Sequence, residues 1–455
     1  MNAVRTLTKV VSPLVAAAAL FAVTPLRAQT VDPTPTGDTL SQAVSNSATQ
    51  SRSSSTTTTT FGSTLFSSLP SVVTDPSGSS LSLTQGSSGQ GFTLDAVQTG
   101  LRNSLVVNQS GSNQAASVIQ NGNDNGSALA VAPYLNPATG QWNYVLQSGA
   151  DNALSAFQLG DNNQLQVLQD GIQLTFALAQ GGPWNFARLL AQGGVSNVIG
   201  LLQLNAGASQ GQRNLAVATQ GDPLTGANAV LSFIGILQSG INLDAIVRQL
   251  GPRSSARVFQ FGAANIADVS QTGRDDVRTT TATDRNIVQI AQGATLTPGG
   301  SVAIALNSSQ TATGMIFRAT QDGGGNSIYG SQLGSGSVGL VVQSGNFNLL
   351  SSDQRGTTHM LTILQISSGN QVTSVQGGVA NELIGRQLDN GGHVLLNDQS
   401  GDNLSLQAVQ NGARNTIVNL QRGAGNSVSI QQAASFNLAD VVQGGSGNRA
   451  QIRQN

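Results

Sequence analysis

From about residue 95 onwards, apolar side chains fall at every second position over short runs, and each run closes on a glutamine. Asn163, Leu165, Val167 and Gln169 share one parity, as do Asn197, Ile199, Leu201 and Gln203, and again Asn448, Ala450, Ile452 and Gln454. A period of two puts such residues on one face of a strand, so the pattern predicts short strands whose inner face is aliphatic and ends on an amide. After each glutamine the parity breaks. A Gly-x-x-Asn step inserts an odd number of residues, and glycine and asparagine are the residues that tolerate positive φ in tight turns. Each unit reads as a strand followed by a turn.

The units recur at a fixed interval. Gln321, Gln332, Gln343, Gln354, Gln365, Gln376 and Gln387 lie eleven residues apart, and Gln399, Gln410, Gln421, Gln432, Gln443 and Gln454 continue the series after a slip of one. The same interval separates Gln98, Gln109 and Gln120, then Gln147, Gln158, Gln169 and Gln180, then Gln192 and Gln203, then Gln238, Gln249, Gln260 and Gln271. A glycine two residues after the glutamine marks the turn, at Gly149, Gly160, Gly262, Gly323, Gly345, Gly412 and Gly445. An asparagine five residues after it closes the turn, at Asn163, Asn265, Asn326, Asn348, Asn415 and Asn448.

A unit this short cannot bury its inner face alone. Two successive units therefore fold back as strand-turn-strand, giving coils of about 22 residues that stack. The expected fold class is all-β, a β-solenoid whose strands lie in parallel and in register about 4.8 Å apart. An amide carries both donor and acceptor, so inward glutamines and asparagines are expected to form ladders along the stack. The residues expected in this structural amide ladder include Gln147, Gln158, Asn163, Gln169, Gln260, Asn265, Gln271, Gln321, Asn326, Gln332, Gln343, Asn348, Gln354, Gln410, Asn415, Gln421, Gln443, Asn448 and Gln454. An eleven-residue period also fits a right-handed coiled coil. Glycine in nearly every unit opposes that reading, at about 1 kcal/mol each in a helix interior. Disorder rich in Gln and Asn predicts enrichment without phase, and here the phase is kept.

The array spans residues 91–455, with the phase lost near 129–146, 222–237 and 274–306, which are read as irregular insertions projecting from the solenoid. Residues 1–28 carry Arg5 and Lys9, an apolar run from Val10 to Val23 broken by Pro13, and a small residue at Ala28, the pattern of a cleaved signal peptide. Residues 29–90 are rich in Ser and Thr and bury too little to offset their ordering entropy. They read as a disordered linker, either a passive spacer or an address for a secretion pore.

Composition narrows the function classes. A net charge of -1 gives no electrostatic reason to expect nucleic acid. With no cysteine, disulfides, thiolate metal sites and thiol nucleophiles are excluded. Only two histidines occur, His359 in an asparagine slot and His393 in a disrupted turn, so structural roles are expected for both. Asp275, Asp276 and Arg278 form the one dense charged cluster, and charged turn residues serve as solvated gatekeepers against mispairing. The run Gly323, Gly324 and Gly325 is not followed by Lys and Ser/Thr as a phosphate loop requires, and Asp151, Asp161 and Asp402 are too sparse for a calcium-binding solenoid. The expectation is a protein that is not an enzyme, with no catalytic, cofactor-binding or metal site, no cofactor and no small-molecule substrate.

Gln260, Gly262, Asn265, Ala267 and Gln271 together resemble the curlin repeat of curli fibre subunits. The resemblance implies a secreted subunit that folds as a β-solenoid and polymerises end to end into an extracellular functional amyloid for cell adhesion and biofilm matrix. It also implies the partners: other copies of the same chain, a nucleating subunit and an outer-membrane secretion pore. The alternative is a monomeric β-solenoid surface adhesin or matrix-binding protein, with contacts made by the irregular segments.

Overall fold

The computed structural model describes residues 101–125, 143–205, 207, 212–221, 231–250, 254–272, 286–292 and 313–455, with the strands Thr57–Phe61, Ser71–Thr74, Ser80–Gln85 and Thr93–Thr99. The expected signal peptide lies outside the described residues. Among the described residues the elements are β-strands joined by turns, and the fold is an all-β solenoid of parallel coils. The chain divides into two units, Met1–Asn228 and Ala229–Asn455.

In the second unit, one sheet stacks Phe233–Ile241, Ser254–Ala263, Asn286–Gln292, Ser327–Ser335, Leu349–Thr357, Gln371–Val379, Val394–Asp402, Thr416–Ala424 and Leu438–Gln443 in that order. The facing sheet stacks Asp244–Gln249, Ile266–Thr272, Ile316–Asp322, Val338–Ser344, Met360–Ile366, Glu382–Gln387, Ser405–Gln410, Ser427–Gln432 and Arg449–Gln454. The chain alternates between the sheets, so each strand pairs with the strand one coil away. Register follows the inward residues: Leu361, Ile363 and Gln365 sit opposite Leu383, Gly385 and Gln387. Leu350, Val372, Leu395 and Ile417 form one inward column at no more than 1% exposure, so the thin core is dry. Burial of this kind contributes about 25 cal/mol for each Å2 removed from water.

The core is filled unevenly. Phe317 is fully buried, and a Cβ added at Gly330 or Gly339 would lie 2.4 or 2.6 Å from its ring. Two glycines, one on the facing sheet and one on the next strand of its own sheet, thus make room for the one ring.

The first unit is built the same way. Ser104–Gln109, Tyr144–Ala150, Gln164–Ile172, Asn185–Val195 and Asn214–Gln220 stack in one sheet, and Thr93–Thr99, Ala115–Asn121, Ala153–Leu159, Thr175–Gly181 and Val198–Asn205 in the other. The strands Thr57–Phe61, Ser71–Thr74 and Ser80–Gln85 carry the stack into residues 29–90, with Gln85 opposite Gln109 and Thr74 opposite Gln98. That stretch was expected to be a linker on composition alone. A stacked strand also gains backbone hydrogen bonds from its neighbour, which composition does not count.

The irregular segments differ from expectation in extent. Strand Asn286–Gln292 lies inside 274–306, with Gln292 opposite Gln260 on one side and Gln332 on the other. Strands Tyr144–Ala150 and Phe233–Ile241 begin inside 129–146 and 222–237. In each case the strand keeps its place in the stack although extra residues separate it from its neighbours in sequence, which costs little because closure entropy grows slowly with the length of the intervening chain.

Candidate functional site: the amide columns

Each inward strand face ends on a glutamine because the next glycine starts the turn, which puts the amide at the edge of the aliphatic core. In the second unit these amides form two unbroken columns. In one, Gln238, Gln260, Gln292, Gln332, Gln354, Gln376, Gln399, Gln421 and Gln443 are linked in sequence by Nε2–H to Oε1 bonds of 2.9–3.0 Å. In the other, Gln249, Gln271, Gln321, Gln343, Gln365, Gln387, Gln410, Gln432 and Gln454 are linked at 2.7–3.1 Å. In every link the earlier residue donates and the later accepts, so each column is polar along the stack.

The second amide proton ties the sheets together. Gln343 donates to the carbonyl of Ser327 at 3.2 Å, Gln365 to Leu349 at 3.3 Å and Gln421 to Ser405 at 3.2 Å, each bond crossing to the facing sheet. A glutamine therefore uses both donors and one acceptor. That matters because an unpaired buried amide costs about 1–3 kcal/mol.

The first unit keeps one column and loses the other. Gln98, Gln120, Gln158, Gln180 and Gln203 are linked at 2.7–2.9 Å. Gln109, Gln147 and Gln169 are linked at 2.8 and 2.6 Å. Beyond Gln169 the facing residue is Ala191, which in turn faces Gln220. Gln192, which the eleven-residue spacing places in the column, sits opposite Asp170 instead. Pairing runs without a shift from Phe186 to Gln192, so the extra residue of this strand leaves Gln192 one position past the column, and the register is recovered by the shift between Gln192 and Gly194.

The asparagines behave differently from the expected side-chain ladder. Asn348 donates to the carbonyls of Ser344 and Ser367 at 3.3 and 2.8 Å, and its Oδ1 accepts from the backbone N–H of Asn370 at 3.0 Å. Asn326 repeats this with Asp322, Gly345 and the N–H of Asn348. Asn265 donates to Phe261 and accepts from the N–H of Met315, Asn415 donates to Asn411 and accepts from Asn437, and Asn448 donates to Gly444. Asn163 bonds Leu159 and accepts from both the backbone and the side chain of Asn185, a link of the expected kind. The physical reason is reach. Asparagine is one methylene shorter than glutamine and sits at the mouth of the turn, where backbone groups are nearer than the next side chain.

The turn itself needs two left-handed residues. Gly149, Gly160, Gly262, Gly323, Gly345, Gly412 and Gly445 have φ between 87 and 108°. At Gly345 a Cβ would also lie 2.1 Å from the carbonyl oxygen of Ser367 one coil on, so only glycine fits. Two residues later, just before the asparagine, a second positive φ recurs at non-glycine positions including Asn162, Ala264, Phe347 and Arg414. Sequence reasoning missed that position because it carries no fixed residue type.

His359 and His393 substitute for asparagine. The His359 Nε2 lies 2.9 Å from the carbonyl of Arg355, and its Nδ1 accepts from the N–H of Asn381 at 3.3 Å. The His393 Nε2 lies 2.8 Å from the carbonyl of Leu388, and its Nδ1 accepts from the N–H of Asn415 at 3.2 Å. A backbone N–H can only donate, which fixes Nδ1 as acceptor and leaves the proton on Nε2. Burial pushes both rings below the usual imidazole value.

No curated protein matches this chain. Residues 423–455, which hold Gln432, Gln443, Asn448 and Gln454, match the family model described as the curlin associated repeat, and the chain thus carries the curlin repeat.

Proposed function

We propose that this chain is a structural subunit of an extracellular, curli-like amyloid fibre that assembles from copies of itself, for cell adhesion and biofilm matrix. The observation that supports it is the pair of unbroken, unidirectional glutamine columns in Ala229–Asn455, on parallel strands held in register. A stack of this kind offers the same backbone donors and acceptors and the same amide at every rung, so a further coil adds by repeating bonds already present. The curlin repeat supports the same reading. A nucleating subunit and an outer-membrane pore are its proposed partners, and the role is structural rather than catalytic.

The test is assembly of the chain lacking residues 1–28. Detergent-resistant, thioflavin-positive fibres with a meridional spacing of about 4.8 Å are expected. A chain that stays monomeric for days in near-native buffer overturns the proposal. That outcome would favour the surface adhesin, for which the exposed turn aromatics Phe347 and Phe436, at 57% and 71% exposure, are the contact candidates.

A further inference from the structure

The two histidines of the chain occupy the same structural slot, one on each side of the solenoid. On one side, Asn348, Asn370, His393, Asn415 and Asn437 form a column in which each side chain accepts the backbone N–H of the next member. On the other, Ser337, His359, Asn381 and Leu404 are linked the same way. The two residues are 1% and 0% exposed, and the half-turns they close are separated by those of Asn370 and Asn381. An asparagine in this slot presents an oxygen at every pH. An imidazole presents a lone pair only while neutral, and its protonation would set a second N–H against the backbone N–H of Asn381 or Asn415.

We propose that His359 and His393 form an acid-sensitive joint in the solenoid, at which protonation breaks the turn-to-turn bonds and opens the coils locally while the neighbouring rungs stay closed. The surrounding charges do little to hold the rings neutral or charged. The strand before His359 carries Asp353 and Arg355, which pair with each other at 2.7 Å, and the coil beyond carries Glu382 and Arg386. None of these acts on the His359 ring, whose neutral state follows from burial, opposed by carbonyl bonds to Arg355 and Gly378. Around His393, the elements packed against it carry Glu382, Arg386, Asp389, Asp398, Asp402, Arg414 and Arg422, of which Asp389 favours the charged form against the larger effect of burial.

The sign follows from linkage. A ring whose folded pKa lies below its unfolded value, near 6.5, contributes its full stability above that value and loses it as pH falls through the folded pKa. The joint is therefore closed at neutral pH and opens as pH falls through the lowered folded pKa of the rings. The inference holds for the single folded chain, whether or not it assembles.

Amide hydrogen exchange of the full chain tests it, compared at pH 7.5 and 5.0 after correction for intrinsic rates. The amides of Asn381 and Asn415, bonded to the rings, should lose about tenfold in protection at pH 5.0, the effect of losing one hydrogen bond of about 1.4 kcal/mol. Those of Asn370 and Asn437, bonded to asparagine oxygens in the same slot, should not. The double variant His359→Asn and His393→Asn, which installs the repeat's own residue, should abolish the loss. Equal protection of all four amides at both pH values overturns the proposal, as does an unchanged acid response in the double variant. The comparison within the parent chain stands even if the variant folds poorly.

Discussion

At Gln365 three hydrogen bonds converge on one buried amide. Its Nε2 donates to Gln387 at 2.8 Å and to the Leu349 carbonyl at 3.3 Å, while its Oε1 accepts from Gln343 at 2.7 Å. Leucine has nearly the same shape and none of these bonds. Gln365→Leu should lower the free energy of unfolding by about 3 kcal/mol, because it strands a donor on Gln343 and acceptors on Gln387 and Leu349. Gln454→Leu, at a residue whose bond to Leu438 is exposed, should cost under about 1 kcal/mol, since water replaces the partner. Equilibrium unfolding in guanidinium measures both, and equal costs would refute a stabilising role for the interior column. At this scale the glutamine position was legible from the sequence, because phase and residue type coincide. The role of the asparagine was not, because a ladder and a turn staple place the same residue at the same interval and differ only in reach.

At the scale of the strand, sequence parity carries the fold further than sequence spacing does. Gln292 escapes an eleven-residue count because insertions flank its strand, yet Asn286, Val288, Ile290 and Gln292 show the same one-face pattern as every other unit. Gln192 lies eleven residues before Gln203 yet misses the column, because its strand carries one residue more than its neighbour and the bulge that absorbs it, between Gln192 and Gly194, comes only after Gln192. What no local pattern could show is packing between the sheets. Phe317 depends on missing side chains at Gly330 and Gly339, two residues on different strands. Gly330→Ala should be destabilising by about 2 kcal/mol, as overpacking in a close-packed core is. Combining it with Phe317→Leu should recover much of that loss, so that the double variant is more stable than the sum of the single changes indicates. A double-mutant cycle by thermal unfolding gives the coupling, and strict additivity would show that the ring and the glycine do not compete for space.

Across the whole repeat array, uniformity creates a problem that the individual rungs do not have. A shift of one full coil returns glutamine to glutamine and aliphatic residue to aliphatic residue, so the columns alone penalise such a slip weakly. Residues that break the uniformity supply the penalty. In the column two residues before the glutamine, Asn397 accepts from Asn419 at 2.8 Å and donates to Ser374 at 3.3 Å, while the next member is Val441. The pair is not there for stability alone, since the Asn419 Oδ1 is buried with no hydrogen-bond partner among the described residues. A polar pair inside an apolar core that fixes register at a cost in stability has a parallel in coiled coils, where one buried asparagine selects the alignment. Replacing both with valine, the residue already present at Val441, should therefore raise the unfolding midpoint, by about 1 kcal/mol in free energy, while relaxing the register. The relaxed register should appear as two exchange populations for amides of Val394–Asp402 and Thr416–Ala424, where the parent chain shows one. A double variant that is less stable, or that keeps a single exchange population, would show that the asparagines serve packing and that the register is set elsewhere.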